Sequence, residues 1–332
     1  MRVRELGLTI GRFEPGDRNA ITDVAGVRVG HTTLAHDNVR SGVTAIVPAP
    51  LVSERTSLPA ALAVGNGYGK LIGATQIDEL GEIETPIVLT ATLSAYRAAD
   101  ALVTYMLGLP AHHDTISLNP VVGETNDGYL SDIRSRPVRA EHVFAAIDHA
   151  DDSVAEGCVG AGTGTVALGY KGGIGTSSRT VDVDGAPRTV GALVQSNFGG
   201  TLTVAGTPMR ADELLTSDPP EPDGNSCMIV VATDAGVDAR QLGRVARRAV
   251  FAMGRVGASY SHGSGDYAIA FATRDTPGTP PPDGALDAVF AATMDAVEEA
   301  LLNSLFMAET TAGHRGRIAY AVPVHNHPWS RA

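Results

Sequence analysis

The chain changes character within one stretch, Asp223-Gly-Asn-Ser-Cys-Met-Ile-Val-Val-Ala-Thr233. Residues 207–224, which lead into it, are rich in proline and acidic residues, a composition typical of an exposed, flexible loop. From Ser226 to Thr233 the chain is almost continuously apolar, which predicts a fully buried strand. A hydroxyl residue therefore stands where an exposed loop meets a buried strand.

This junction suggests a chemical role for Ser226. If the Asn225–Ser226 bond is strained, the Ser226 hydroxyl can attack the Asn225 carbonyl, and hydrolysis of the resulting ester leaves Ser226 as a new amino terminus. The free α-amine, with an ordinary pKa of about 7.7–8.0, can then act as general base toward its own hydroxyl. On local sequence alone an ordinary turn is the simpler interpretation, because Gly, Asn and Ser dominate turns.

A second polar segment, Ser259-Tyr-Ser-His-Gly-Ser-Gly-Asp266, precedes a predicted strand. Ser264 and Asp266 are two residues apart, so on an extended chain their side chains point the same way and could relay a hydrogen bond to a nucleophile. The alternative is a polar turn before the strand. Nothing in the local sequence favours a triad with His262 over an exposed loop histidine.

Hydrophobic patterning predicts a mixed α/β chain. Predicted strands cover residues 21–29 (with a turn at 30–31), 42–47, 87–92, 189–197, 202–204, 226–233 and 267–273. Predicted helices cover residues 69–80, 93–107, 237–254 and 284–308. The buried face of the second helix is expected to hold Leu93, Tyr96, Ala99 and Val103, and that of the third Leu242, Val245, Ala246, Ala249, Val250 and Met253. Strands and helices do not alternate strictly, which favours helices packed on one or more sheets over a doubly wound parallel sheet.

Composition excludes several classes of protein. The 332 residues fit one large domain or two ordinary ones, and the net charge is −12 without a basic run that would bind nucleic acid. Four arginines, at 240, 244, 247 and 248, are interpreted as a solvated helix face. Two cysteines, no signal peptide and no apolar stretch of about 20 residues predict a soluble, cytoplasmic protein without a membrane partner.

Little in the sequence supports a site for a nucleotide or a metal. Gly160-Ala-Gly-Thr-Gly164 lacks the third glycine of a dinucleotide fingerprint, because position 165 is Thr, and no convincing strand precedes it. We therefore expect the glycines to allow close backbone packing near the active site. No P-loop motif occurs, and the pairs His112-His113 and His325-Asn-His327 lack a third metal ligand, so they are interpreted as surface histidines.

Several motifs, in order along nearly the whole chain, resemble the DmpA-type L-aminopeptidase/D-esterase and β-peptidyl aminopeptidase family. They are Ile21-Thr-Asp-Val-Ala-Gly-Val-Arg-Val-Gly-His31, Gly65-Asn-Gly67, Thr85-Pro-Ile-Val-Leu-Thr90, Val122-Gly-Glu-Thr-Asn-Asp-Gly-Tyr-Leu130, Gly160-Ala-Gly-Thr-Gly164, Gln195-Ser-Asn-Phe-Gly199, Gly224-Asn-Ser226 and Ser264-Gly-Asp266. The resemblance implies a four-layer αββα sandwich, similar to amino-terminal-nucleophile (Ntn) hydrolases but with a distinct topology. It also implies a single domain over 1–332, self-cleaved into an α chain, 1–225, and a β chain, 226–332.

The resemblance also implies roles for individual residues. Ser226 matches the nucleophile and Asn225 the last residue of the α chain, while Ser264 and Asp266 match the relay serine and acid. Asn197 and Tyr129 match the groups that stabilise the oxyanion. Glu124 resembles the carboxylate that holds the substrate's free amino group, so the enzyme would be an aminopeptidase or amidase that needs no metal or other cofactor.

Some points stay open at this stage. Asp266 is shorter than the Glu of some members, and Thr310–Gly316 follows the family pattern only loosely. The stereochemistry of the substrate, L, D or β, is not fixed by the sequence. The resemblance suggests a homo-oligomer of four αβ units. Two alternatives remain, namely an unprocessed, non-catalytic relative acting as an oligomeric binding protein, and an amidase or acyltransferase acting on non-peptide amides.

Overall fold

Two β-sheets form the centre of the molecule. The structure, a computed structural model, describes residues 1–220, 224–273 and 280–324. Strands in this part of the chain, numbered in chain order, are β1 Val27–His36, β2 Val39–Pro48, β3 Leu58–Gly67, β4 Leu71–Ile72, β5 Glu82–Ile83, β6 Ile87–Ala91, β7 Val121–Thr125, β8 Val166–Ala167, β9 Tyr170–Lys171, β10 Ile174–Val183, β11 Ala186–Asn197, β12 Leu202–Val204, β13 Thr207–Met209, β14 Asn225–Thr233, β15 Ser264–Ala272, β16 Thr311–Ala312 and β17 Ile318–Ala319.

Helices cover the outer faces of the two sheets. The α-helices are α1 Pro50–Ser53, α2 Ala74–Leu80, α3 Ala95–Leu107, α4 Ala140–Asp148, α5 Ala211–Leu214, α6 Ala239–Arg255 and α7 Leu286–Phe306. None of the described helices is both long and apolar enough to cross a membrane.

Both sheets are mixed. The first sheet has the strand order β1-β2-β6-β7-β4, and the second has the order β10-β11-β14-β15-β3-β5. The neighbours β6 and β7 are parallel in the first sheet, as are β14 and β15 in the second, and the other pairs in these two sheets are antiparallel. The expectation of helices packed on sheets, rather than a doubly wound parallel sheet, is confirmed.

Three apolar clusters show that the layers are stacked in the order αββα. The cluster between the sheets includes Leu89 of β6 and Met228 and Val230 of β14. Alternate residues of β14, Ile229 and Val231, belong to the cluster beneath α6 and α7. A third cluster packs α3 and α4 on the first sheet. Since β14 is covered on both faces, its apolar residues run without alternation, and the four-layer fold class is confirmed.

The amino-terminal hairpin differs from its prediction. Residues 21–23 form a helical turn, and β1 continues through Gly30 and His31, where a turn was predicted, so that prediction was wrong. The hairpin turns instead at Asp37, whose φ is +43°. A Cβ atom at Gly30 would lie 2.0 Å from the Ala146 carbonyl oxygen, so this glycine permits close contact with α4 rather than a turn.

The helices predicted over 93–107, 237–254 and 284–308 were right in position but not always in the buried face. Helix α6 buries all six residues expected of it. In the 93–107 segment, by contrast, Leu93 and Tyr96 are exposed, while Ala98, Leu102 and Met106 pack on the first sheet. The small alanines of α3 allow this helix to pack closely on the sheet.

Some elements were shifted or missed. The helix predicted over 69–80 starts at Ala74, since residues 71–72 pair with β7 as strand β4. Strands β3 and β10 were not predicted, because β3 is rich in Ala and Gly and β10 contains several polar residues. In the segment 207–220, predicted as loop, the structure has β13 and α5, and residues 221–223 lie outside the described residues.

A buried ion pair joins α7 to the second sheet. Arg179 of β10 and Glu299 of α7 are both fully buried, and Arg179 Nη2 lies 2.6 Å from Glu299 Oε2. The other Glu299 oxygen accepts a hydrogen bond from Arg4 Nε at 2.9 Å. Burial lowers the pKa of Arg179, and the negative charge of Glu299 opposes that shift. The core thus contains two opposite charges, and each stabilises the ionised form of the other.

We therefore predict that Glu299→Gln is strongly destabilising. Removing one member of a buried ion pair leaves the other charge uncompensated, at a cost of about 3–5 kcal/mol. Urea unfolding followed by circular dichroism measures the loss. The control is Asp114→Asn, which breaks the exposed pair with Arg55 and should cost less than about 1 kcal/mol. Equal losses in the two variants would contradict a structural role for the buried pair.

Candidate active site

Ser226 lies at the start of β14, in the middle of the second sheet. Its partner on β11 is Asn197, and its partner on β15 is Gly265. Because alternate side chains of a strand share a face, Ser226 points the same way as Met228, toward the first sheet. Its residue surface is only 3% exposed. The predicted junction of loop and buried strand is thus present in the structure.

The backbone before Ser226 changes direction at Gly224. Gly224 has a φ of +88°, and a Cβ there would lie 3.0 Å from Asn126 Nδ2. Asn225 and Ser226 already belong to β14. The left-handed residue therefore stands one position before the Asn225–Ser226 bond, which is itself held in an extended strand.

Ser264 and Asp266 form the hydrogen-bonded pair that their spacing predicted. Ser264 Oγ donates to Asp266 Oδ1 at 2.7 Å, and both residues are buried. In the parallel register Ser264 lies opposite Asn225, and Asp266 lies opposite Cys227. The pair therefore lies on the face of the sheet that packs on α6, beside the Asn225–Ser226 peptide, whereas the Ser226 side chain lies on the other face.

Burial governs the acidity of this pair. Burial raises the pKa of the Asp266 carboxyl, and the hydrogen bond from Ser264 opposes that shift. The pKa of the Cys227 thiol is also raised, first by burial and second by the nearby Asp266 charge. The Ser264 hydroxyl, which donates to Asp266 Oδ1, thus favours the ionised form of a carboxyl group that burial disfavours.

Asn197 is oriented by the backbone around it. Its Oδ1 accepts a hydrogen bond from Val166 N at 3.0 Å, which fixes the amide so that Nδ2 points to the Gly224 carbonyl oxygen, 3.4 Å away. Asn197 is 1% exposed. A buried amide donor therefore faces the chain immediately before the Asn225–Ser226 bond.

Glu124 faces Ser226 across a cavity of about 310 Å³ between the two sheets. The cavity is lined by Gly67, Tyr68, Gly69, Lys70, Thr92, Glu124, Asn126, Gly224, Asn225, Ser226 and Gly263. Glu124, on β7, is only 4% exposed, and its Oε1 accepts hydrogen bonds from Lys70 N at 2.9 Å and Lys70 Nζ at 3.2 Å. The predicted carboxylate is thus in the same cavity as the predicted nucleophile.

Lys70 was missed by sequence reasoning. A signal was available, since Lys70 is one of two lysines in the chain and follows the Gly65-Asn-Gly67 motif.

A second cavity of about 450 Å³, which the sequence analysis did not predict, lies beside Asn225 and is lined by Phe198, Arg210, Asp212, Pro219 and others. Its walls come from distant segments that only the fold brings together.

Tyr129 packs against a small apolar cluster formed by Leu130, Val166 and Ala319. Its half-buried ring packs beside Leu130, and the Arg317 guanidinium carbon lies 5.0 Å from the ring centroid. Tyr129 is not among the described residues that line either cavity beside Asn225. The register of β14 and the shared cavity therefore bring together Ser226, Asn197, Ser264, Asp266 and Glu124, while the contacts of Tyr129 are those with Arg317 and the cluster around Leu130.

The glycines of the 160–164 segment serve backbone packing. Residues 160–162 form one helical turn, and a Cβ at Gly160 would lie 2.4 Å from Thr44 Oγ1 on β2. The neighbouring Ala161 carbonyl accepts a hydrogen bond from Gln195, two residues before Asn197. The close packing expected from these glycines is confirmed.

The prediction that the paired histidines lie on the surface needs partial correction. His112, interpreted as a surface residue, is 4% exposed, because residues 110–112 form a turn that folds its ring inward. His113 and His262 are exposed, and His325 and His327 lie outside the described residues. Within the described ranges no three His, Cys, Asp or Glu side chains are grouped as metal ligands.

The basic helix face is only partly solvated. Arg240 and Arg247 are exposed, but the guanidinium carbon of Arg248 lies 4.0 Å from the Phe290 ring centroid and that of Arg244 lies 4.8 Å from it. Guanidinium groups stack favourably on aromatic faces, so these two arginines help to pack α6 against α7.

Fold and site together define the class of protein. A serine that begins a buried strand, a hydroxyl–carboxylate pair beside its backbone nitrogen, a buried amide donor and a carboxylate in the facing cavity are the groups that an amide hydrolase with an Ntn-type sandwich requires. Residues 19–319 match the family model described as Peptidase family S58. The chain belongs to this family, which confirms the resemblance found in its sequence.

Individual relatives agree with this assignment. The chain is 38% identical to beta-peptidyl aminopeptidase BapA of Sphingosinicella microcystinivorans, over 97% of this chain and 89% of the relative. A crystal structure of the PH0078 protein from Pyrococcus horikoshii OT3 is similar with a TM-score of 0.91 at 44% identity, covering 98% of this chain and 97% of that one.

The L-aminopeptidase D-Ala-esterase/amidase of Ochrobactrum anthropi has a TM-score of 0.88 at 35% identity, covering 98% of this chain and 96% of that one. It is described as a prototype for the serine aminopeptidases and as a new variant of the Ntn hydrolase fold. The chain is thus an enzyme of the serine aminopeptidase and amidase type, as its sequence predicted.

A buried carboxyl group at Asp127 lies close to this site. Asp127 follows β7, is 2% exposed, and its pKa is raised to about 7, mainly by burial. The raised pKa means that the folded protein binds the proton more tightly than the unfolded chain does. An ionised Asp127 therefore lowers stability, an effect absent below pH 3.8 and complete above about pH 7.

We predict that Asp127→Asn becomes progressively more stable relative to the wild type as pH rises from about 4 to 7. The difference in the free energy of unfolding should grow by about 1.4 kcal/mol per unit of pKa shift, then stay constant above pH 7. Urea unfolding of both proteins across this range measures it, and subtraction cancels the titration of other groups. A difference independent of pH would show that folding does not raise the pKa of Asp127.

Proposed function

We propose that the chain cleaves its own Asn225–Ser226 bond and then acts as an aminopeptidase or amidase with Ser226 as its amino-terminal nucleophile. Its substrates are amides, short peptides or esters that carry a free amino group. The observation that carries this proposal is the register of β14. It places Ser226 directly opposite Asn197, and it places Ser264 opposite Asn225.

The cleavage step uses groups at the junction. Ser226 Oγ attacks the Asn225 carbonyl carbon, the bond from that carbon to Ser226 N breaks, and an ester forms. Water then hydrolyses the ester, which leaves a carboxylate on Asn225 and a free amine on Ser226. The Asn197 amide, which donates to the Gly224 carbonyl at 3.4 Å, is proposed to donate to the oxyanion that forms one residue further on.

After cleavage the α-amine of Ser226 serves as general base. It removes the proton from Ser226 Oγ as the oxygen attacks the substrate carbonyl, and it returns a proton to the leaving amine. The Ser264 hydroxyl donates to Asp266, so its oxygen lone pairs are free to accept a hydrogen bond from the amine. Ser264 and Asp266 are thereby positioning residues that orient the base.

Asn197 and Tyr129 are proposed to stabilise the oxyanion of the substrate. This role is supported for Asn197 by its place opposite Ser226, and for Tyr129 by the family resemblance alone. Each donor of this type contributes about 10²–10³ in turnover.

Glu124 is proposed to bind the substrate's ammonium group. A buried carboxylate in the nucleophile's cavity forms a charge-assisted hydrogen bond with a free amine, which restricts the enzyme to the ends of chains. The relative BapA is named a beta-peptidyl aminopeptidase. We propose the same spacing here, with the amine on the carbon β to the scissile carbonyl.

The assembly and location of the enzyme are also proposals. We propose a cytoplasmic homo-oligomer of four αβ units, on the basis of the family resemblance. Several large apolar side chains are exposed on the surface of the single chain, among them Tyr96, Ile116 and Phe251, and exposed apolar surface is typical of contacts between proteins.

We predict that Ser226→Ala abolishes both processing and activity, because no hydroxyl remains to attack the Asn225 carbonyl. Intact mass under denaturing conditions should show a single species of 34.3 kDa, where the wild type gives chains 1–225 and 226–332. Ser217→Ala, which removes an exposed hydroxyl from the preceding loop, should process normally. Two chains from Ser226→Ala would refute self-cleavage by Ser226, and an uncleaved but active wild type would refute the maturation step.

We predict that Glu124→Gln reduces kcat/KM for a β-alanyl p-nitroanilide by about 10- to 100-fold, mainly through KM, since a charge-assisted contact with the ammonium is lost. Rates of p-nitroaniline release by the processed variant measure the effect. Glu141→Gln, on the exposed side of α4, is the matched control. Unchanged kinetics in Glu124→Gln would remove this residue from substrate binding.

A further inference from the structure

Lys70 introduces a positive charge into the cavity that Ser226 and Glu124 share. Its Nζ lies 3.2 Å from Glu124 Oε1, with the lysine side chain 30% exposed and the glutamate side chain 4% exposed. Both residues line the cavity together with Ser226. This cavity therefore contains a cation and an anion in contact.

The lysine ammonium is not needed to hold Glu124 in place. The backbone N–H of Lys70 already donates to the same oxygen, Glu124 Oε1, at 2.9 Å. Any residue other than proline would supply that donor. The side chain adds a mobile point charge on a flexible stem, directed at the group proposed to bind the substrate's amine.

This charge affects which substrates the site can accept. A substrate that brings only an ammonium group to Glu124 places two cations beside one buried carboxylate, and like charges in contact are unfavourable. A substrate that brings a carboxylate next to its ammonium restores the balance. The ammonium can then pair with Glu124 while the carboxylate pairs with Lys70.

We propose that the enzyme hydrolyses β-aspartyl amides and peptides, in which the carbon β to the scissile carbonyl carries both a free ammonium and a free carboxylate. The juxtaposition of Lys70 and Glu124 within contact distance matches two opposite charges on one substrate carbon. This inference rests on the proposed function, since it takes Ser226 as the nucleophile and Glu124 as the amine-binding group.

The reaction follows the same course as for other amides. Ser226 Oγ forms an ester with the side-chain carbonyl carbon of the aspartyl group, and the bond from that carbon to the leaving nitrogen breaks. The α-amine of Ser226 carries the hydroxyl proton to the leaving amine. Water hydrolyses the ester, releases aspartate and regenerates the Ser226 hydroxyl.

The test compares two p-nitroanilides that differ in one group. L-Aspartic acid β-p-nitroanilide carries a carboxylate where the configurationally matched 3-aminobutanoyl p-nitroanilide carries a methyl group. For the processed wild type we expect kcat/KM to be about 10- to 100-fold higher for the β-aspartyl substrate, the range for one charge-assisted contact. Equal rates, or a preference for the methyl compound, would overturn the inference.

The variant Lys70→Met tests the origin of this preference. Removal of the ammonium should reduce the ratio of the two kcat/KM values to about one or below, because the substrate carboxylate then lies beside Glu124 without a cation. The ratio, rather than either rate, is the readout, and processing is checked by intact mass. The control is Arg28→Met, which removes an exposed positive charge distant from the cavity and should leave the ratio unchanged.

The outcomes separate this inference from the proposed function. Hydrolysis of the 3-aminobutanoyl compound without preference for the β-aspartyl compound leaves the proposed function intact and refutes the role of Lys70. Failure of the fully processed wild type to hydrolyse either compound refutes both. A ratio that stays high in Lys70→Met shows that another group binds the carboxylate and also refutes the assignment.

Discussion

The pairing of β14 with β11 and β15 is the constraint on which the rest of the site depends. It sets Ser226 opposite Asn197 and sets Ser264 opposite Asn225, so groups from three strands meet at one peptide bond. A slip of one residue would turn the Ser226 side chain from the cavity to the helix side of the sheet. The apolar residues that follow on β14 prevent such a slip, because they fill clusters on both faces.

The second sheet separates two parts of the proposed chemistry. The Ser226 side chain and Glu124 face each other between the sheets, where a substrate can enter, whereas Ser264 and Asp266 lie on the α6 side. The backbone nitrogen of Ser226, which becomes the α-amine in the proposed mechanism, lies in the sheet between them. In that mechanism Ser264 and Asp266 orient the α-amine from one face of the sheet, while the Ser226 hydroxyl attacks the substrate on the other face.

The buried carboxyl groups of Asp266, Glu124 and Asp127 lie in different electrostatic surroundings. The Ser264 hydroxyl donates to Asp266, and the main chain and side chain of Lys70 donate to Glu124. Burial raises the pKa of Asp127 to about 7, so this carboxyl group loses its proton only near neutral pH. Groups with such different surroundings respond differently to pH and to ligands. The Glu124–Lys70 pair is the one that faces open space, so it is suited to respond to the charge of a substrate.

The sequence by itself determined the layered α/β class, the position of β14 and the Ser264–Asp266 pair. An apolar run and a two-residue spacing are features of one short stretch of chain, so they can be recognised without knowing which segments pack against it. Its motifs also indicated the family. Only the tertiary structure decided that Gly30 packs against α4 rather than turning, that α3 buries alanines while Tyr96 is exposed, and that His112 is buried. The contact between Lys70 and Glu124, 54 residues apart, and that between Tyr129 and Arg317 likewise depend on how distant segments meet, which local patterns do not encode.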